Sequence, residues 1–327
     1  MINQFRNFNF FNLIFLVPLA LILCLGAFVN LPSELRPFIF EPAILNLIDG
    51  KYEQFIFPKT NVLISVGLTL IQGIYLNQVV NKYNLLGRST FLPALLYVSL
   101  ASMFTPFLVL SPALICNFLL IIMIDKLLSI YYRSNNITVL FDLGLIIAIG
   151  TLFYFPFIAF FLLLWIGLLI FKPFNWREWI SGLIGFSSIY FILFIIYFWL
   201  DRLADFYKIW SPIAHPSFTT GLNFELHDYL ALIIPTIILI LFIISLRHSF
   251  YKSIVHIRKS FQLLFFMVLL SLISYGLTHS HQTYHLLLAA PPIAIYMAYY
   301  FNTAKTRWVY EGLFTLMIIG FIYFQWF

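Results

Sequence analysis

Charge is what this sequence lacks most. Of its 327 residues only 9% are Asp, Glu, Lys or Arg, where a water-soluble domain carries roughly 25%. At 62% hydrophobic residues, the chain has too few polar groups to cover a folded surface in water, so lipid must solvate it. Cysteine is nearly absent too. Cys24 and Cys116 both sit inside apolar runs, which excludes a disulfide framework or a Cys-x-x-Cys site and leaves two small buried hydrophobes. No polar stretch is long enough for a separate soluble domain, so residues 1–327 are expected to form a single membrane domain. The P-loop, the GxGxxG fingerprint and GxSxG are all missing, which removes the sequence signals of phosphate-cradling loops, dinucleotide folds and nucleophile elbows.

What is present is a series of apolar runs. A hydrocarbon core of ~30 Å is crossed by about 20 apolar residues in a helix. Candidate spans are 10–30, 60–80, 91–109, 111–131, 139–155, 157–172, 179–200, 228–246, 261–278, 286–301 and 308–327. The first run is longer than a signal-peptide core of roughly 7–15 residues and is read as an uncleaved helix. The expected fold is therefore all-α. It is a polytopic transmembrane bundle of about eleven helices, with a cytoplasmic N-terminus and the C-terminus outside. Residues 139–172, with Pro156 at the hinge, are expected to form two short crossings or a helical hairpin of partial depth.

Charge distribution orients this threading. It puts 13 of the 18 basic residues on the cytoplasmic side and eight of the 12 acids outside. That is the positive-inside pattern. The formal charge of +6 is thus a topology signal and no sign of nucleic-acid binding. The expected location is a bacterial inner (plasma) membrane.

Two outer loops are long, about 31–59 and 201–227, and long loops in compact proteins tend to carry function. The first holds Glu34, Arg36, Glu41, Asp49, Lys51 and Glu53. Glu34, Glu41 or Asp49 can act as a general base toward an acceptor hydroxyl. Arg36 and Lys51 suit a lipid phosphate. The plainer reading is a solvated loop, with Asp49-Gly50 as a turn. The second holds Asp201, Arg202, Asp205, Lys208 and His215. On a continuing helix Asp201 and Asp205 would share a face, with Arg202 as a neutralising cation; caps and surface pairs are the alternative. A third cluster, His279, His281 and His285 in THSHQTYH, suits hydrogen bonding, substrate or pyrophosphate contact, proton relay or, as the least favoured reading, a transition metal. No neighbouring carboxylate completes a metal set, and neither metal nor cofactor is expected. Within the spans, Gln72, Asn77, Gln78 and Asn117 read as helix–helix hydrogen-bonding amides. Intramembrane ionisable groups are too few for a proton-coupled pump. In KPFNWREW, Asn175 reads as an N-cap, with Trp176 and Trp179 as interface anchors.

The stretches MINQFRNFNFFNLIFL, RSTFLPALLYVSLASMF and FDLGLIIAIGTLFYFPFIAFFLLLWIGLLIFKPFNWREWISGLIGF resemble an uncharacterised membrane-protein family of Bacteroidota. The arrangement of a first helix, a long acidic outer loop and many further helices is similar to the GT-C glycosyltransferase superfamily. That resemblance implies a polyprenyl-phosphate-linked sugar as substrate and a base in the first outer loop, at Glu34, Glu41 or Asp49. From the outer loops and the histidine turn, the candidate substrate contacts are Arg36, Lys51, Arg202, His215, His279, His281 and His285. The function expected is a GT-C-like enzyme or pseudo-enzyme of cell-envelope glycan assembly. A non-catalytic membrane subunit of an envelope or secretion complex is the alternative, and a transporter the third. Expected partners are membrane lipids, polyprenyl phosphate among them, and other membrane proteins.

Overall fold

The computed structural model describes residues 1–29, 58–210, 233, 236–241, 254–277 and 283–326. Among these residues there are helices and no strand. Four helices are long and apolar enough to cross a membrane: Lys59–Lys82, Pro112–Tyr132, Trp176–Trp199 and Val255–Leu277. The sequence suggests about eleven such runs. Several are shortened in the fold because bends and 3-10 turns interrupt them. The run 10–30 bends at Cys24, and 91–109 stops helical winding at Ala101.

Local chemistry sets the helix ends. α1 (Ile2–Phe5) and α2 (Phe10–Leu23) are separated by Asn9, whose side chain caps the second helix. α3 (Leu25–Val29) follows the bend. α4 (Pro58–Lys82) opens on a proline, which needs no N–H there. α5 (Leu92–Ala101) also has a proline in its first turn. α6 (Pro112–Ser129) is capped by Ser111, which accepts the Leu114 N–H at 3.2 Å. α7 (Ile137–Phe153) ends at Tyr154, and a 3-10 segment, Phe155–Phe160, leads into α8 (Phe161–Phe171). α9 (Trp176–Trp199) starts at Asn175, whose side chain accepts the Arg177 N–H at 3.3 Å. α10 (Leu203–Lys208), α11 (Val255–Ile273), α12 (Ala290–Thr303) and α13 (Arg307–Trp326) follow.

α5 is buried at every position. It packs between α4 and α12, while α6 packs on α4, α7 and the 3-10 segment Thr283–Ala289. α13 lies on α1, α2 and α3, and α11 on α8 and α12. The most extensive helix pair is α7 with α9. Their backbones touch because Gly144, Gly182 and Gly185 line the seam. A Cβ on Gly144 would come within 2.2 Å of the Gly182 carbonyl oxygen, and one on Gly185 within 2.2 Å of the Phe141 oxygen. Small residues of this kind let helix backbones approach where lipid supplies no hydrophobic drive.

α7 and α9 run the same way. Ser181 Oγ donates to the Ile137 carbonyl at 2.6 Å, and Thr151 meets Tyr190 at 2.7 Å. The chain between them therefore turns at Tyr154 and comes back through Phe155–Phe171. Lys172 Nζ then donates to the carbonyls of Arg133 and Ser134, next to where α7 began.

Further contacts gather at this end of the bundle. Arg6 donates to the carbonyls of Phe301 and Ala304, filling acceptors left open at the end of α12. Arg88 donates to Asn302, Lys82 pairs with Asp125 at 2.8 Å, and Lys126 pairs with Asp142 at 2.8 Å.

Candidate functional site

His285 is the sequence-flagged residue with the densest surroundings. It lies on the 3-10 segment Thr283–Ala289 and is fully buried. Its Nδ1 sits 2.7 Å from the Tyr154 hydroxyl. Its Nε2 is 2.9 Å from the Ser271 carbonyl oxygen and 3.1 Å from Ser274 Oγ. A carbonyl can only accept, so Nε2 carries the proton and donates to Ser271. Nδ1 is then the acceptor, and the Tyr154 hydroxyl donates to it. Burial disfavours the imidazolium and moves the His285 pKa below its ordinary value. The Tyr275 ring stands edge-on at 5.4 Å.

A second polar group adjoins the first. Asn117 on α6 donates to the Leu287 carbonyl at 2.8 Å, two residues from His285. Its Nδ2 is also 3.4 Å from the Tyr97 hydroxyl. That hydroxyl donates to Gln72 Oε1 at 2.6 Å, and Gln72 Nε2 donates to the Leu114 carbonyl at 2.7 Å. Gln72, Tyr97 and Asn117 are all fully buried. Beside Asn117, Cys116 Sγ lies 3.5 Å from the Gly150 carbonyl. Asn117 of α6, Tyr154 of the α7–α8 turn and the Ser271 carbonyl of α11 thus meet this 3-10 segment directly, and Tyr97 of α5 and Gln72 of α4 extend the network behind Asn117. Inside an apolar bundle each such bond is directional, so it fixes which helix meets which.

The α7–α8 turn links this cluster to a second surface. Tyr154 binds His285, while the next residue, Phe155, stands edge-on to Trp210 at 6.4 Å. Trp210 follows α10 and also packs against Tyr190, the ring centroids 4.8 Å apart and the planes tilted by 41°. The turn is therefore clamped between the histidine segment and the start of residues 201–227.

Arg202 is exposed and starts α10. Asp201 and Asp205 do not continue one helix. Asp201 adopts a left-handed conformation at φ 55°, which ends α9 before α10 begins. Asp and Asn accept this region more readily than most residues. Asp205 pairs instead with Lys208 at 2.8 Å. Glu34, Arg36, Glu41, Asp49, Lys51, His215, His279 and His281 lie outside the described residues. Among the described residues, no three His, Cys, Asp or Glu side chains group as metal ligands.

Sequence reasoning passed over Tyr97, Tyr154, Ser271 and Ser274. With 19 tyrosines in the chain, Tyr97 and Tyr154 carried no distinguishing mark. One signal was available for Tyr154. It immediately precedes Phe155-Pro156, where helix α7 has to stop.

The chain belongs to a family of unknown function, DUF6427, which it matches over residues 43–327. No curated protein and no solved structure matches it.

Proposed function

We propose that this is a multi-pass inner-membrane protein with a GT-C-like role. It handles a polyprenyl-phosphate-linked sugar on the outer face of the membrane in cell-envelope glycan assembly. The threading proposed has about eleven crossings, with the N-terminus inside and the C-terminus outside. Its support is a pairing pattern. The contacts of Arg6 with Ala304, Arg88 with Asn302, Lys82 with Asp125 and Lys172 with Ser134 each join segments that this threading puts inside or at an inner helix end. The contacts of Asn61 with Leu110 and Tyr154 with His285 join segments at its outer side.

The observation that carries the functional reading is the His285–Tyr154 bond beneath the outer segments. With both ring nitrogens engaged, His285 is a positioning residue. It holds the α7–α8 turn against the histidine segment, and so gives the outer loops a rigid floor. The general base toward the acceptor hydroxyl comes from Glu34, Glu41 or Asp49. Arg36, Lys51, Arg202, His215, His279 and His281 supply phosphate and sugar contacts. The test is a deletion strain complemented with single alanine variants of Glu34, Glu41, Asp49, His279 and His281. Loss of an envelope glycan in at least one is expected; an unchanged glycan profile in all five rejects the catalytic reading.

A second reading, a non-catalytic membrane subunit of an envelope or secretion complex, is favoured by α9. Its outer face carries Ile184, Phe191, Ile192, Phe198 and Trp199, all exposed, and offers a partner helix a broad apolar surface. Purification in mild detergent separates the two readings. A chain that always runs alone counts against the subunit.

A further inference from the structure

A groove of about 440 Å³ lies beside the α7–α9 seam, at the end where both helices begin. That volume falls within the roughly 300–1,000 Å³ typical of ligand clefts. Ile137, Phe141, Ile180 and Ile184 form its apolar walls, and Thr138 and Arg177 its polar edge. Trp176 borders the same opening, and tryptophan favours the level of lipid headgroups.

The charge at this edge is unbalanced. Asp142 also lines the groove, but its carboxylate is held by Lys126 at 2.8 Å. Glu178, the next residue to Arg177, is buried and accepts the Asn136 N–H at 3.2 Å. Lys172 is taken up by two carbonyls. Arg177 is exposed, and the contact its guanidinium makes is with the Trp176 ring, 5.7 Å from the centroid. Among the described residues it forms no ion pair. Elsewhere at this end Arg6, Lys82 and Arg88 each have a carbonyl, carboxylate or amide oxygen. The groove therefore joins an acyl-sized apolar trough to one uncommitted guanidinium, a group whose planar fork matches phosphate oxygens.

We propose that this groove binds one anionic phospholipid, with an acyl chain along Ile137, Phe141, Ile180 and Ile184 and the headgroup phosphate on Arg177. A chain gains little by leaving other lipid tails for an apolar trough, because tails are as apolar as leucine. Selection must then come from the headgroup, and a net negative lipid is preferred over a zwitterionic one. Nothing in this inference depends on sugar chemistry or on the outer loops.

The test is native mass spectrometry of the full chain released from detergent micelles. The protein is titrated with phosphatidylglycerol and phosphatidylcholine of identical acyl chains. The expected result is a single phosphatidylglycerol retained about fivefold more than phosphatidylcholine. Arg177→Gln brings the ratio to about one, and Arg177→Lys keeps part of it. Ile180→Trp, which narrows the trough and leaves the charge in place, lowers retention of both lipids. The proposal is overturned if wild type shows no preference, or if Arg177→Gln keeps it while eluting as a folded monodisperse species. Should Arg177→Gln fail to fold, Arg177→Lys and Ile180→Trp decide the matter, and unchanged retention in both overturns it.

Discussion

α6 and α9 are both long, nearly equally apolar and capped at the N-terminus by a polar side chain, yet they end up in opposite surroundings. About 61% of the apolar stretch of Pro112–Tyr132 is buried, against 28% of Trp176–Trp199. Hydropathy does not separate them, since lipid tails compete with protein for any leucine. Polar and small side chains do. α6 carries Cys116 and Asn117 into the bundle, where the amide reaches the carbonyl of Leu287. α9 confines Ser181, Gly182, Gly185 and Tyr190 to one narrow buried stripe and leaves its isoleucines and phenylalanines exposed. In this bundle the few polar and small residues decide the neighbours, and the many apolar ones fill in.

The sharpest way to break the comparison is to remove the narrow stripe of α9. Gly185→Leu places a side chain where even a Cβ would meet Phe141 backbone. The seam has to open, at a cost of roughly 1–3 kcal/mol or more, read as a lower thermal midpoint in detergent. Gly67→Leu is the matched control. Nothing lies within 4 Å of a Cβ there, and little change is expected.

Next comes the α6 amide. Asn117→Leu keeps the branched shape but leaves the Leu287 carbonyl without its donor. A loss of about 1–2 kcal/mol is expected by the same measurement. A smaller effect is the coupling between Tyr154 and His285. A double-mutant cycle with Tyr154→Phe and His285→Phe should return roughly 0.6–1.7 kcal/mol. Its pH dependence has a defined sign. The folded pKa of His285 is lowered, so the unfolded chain binds the proton more readily. Wild-type stability is complete above about pH 6.5 and falls on acidification below that value. His285→Gln should flatten this part of the profile. The smallest effect is expected on the open face of α9. Phe191 is 64% exposed, and Phe191→Leu should stay within about 0.5 kcal/mol of wild type.

Much of the architecture could be read from residues. Asn175 was recognisable as a cap, and Asn117 as an interhelical amide, because asparagine has few other uses in such places. Cys24 and Cys116 are buried and unbridged, as their apolar settings implied. The cations were visible as a count. That Arg6 and Lys172 would spend their charge on carbonyls was not, since those acceptors belong to helix ends distant in sequence. Helix length was also hidden, because backbone breaks at Ala101 and Tyr154 leave average hydropathy unchanged. For the site, the sequence singled out His285 and left open whether it faced a substrate or the protein. Its partners Tyr154 and Ser271 lie 131 and 14 residues away, and only the folded chain shows that both of its nitrogens are engaged.

The clasp of Arg6 on the end of α12 also sets an order of events in synthesis. Its acceptor, the Phe301 carbonyl, lies 295 residues downstream. At roughly 5–20 residues per second, a ribosome needs about 15–60 s to deliver it. For that interval α1 and α2 can meet α4 and α5 but lack the last helices that pack on them. The arrival of the last two helices locks the beginning of the chain, so a truncation late in the sequence should leave the earliest segment the most open to protease.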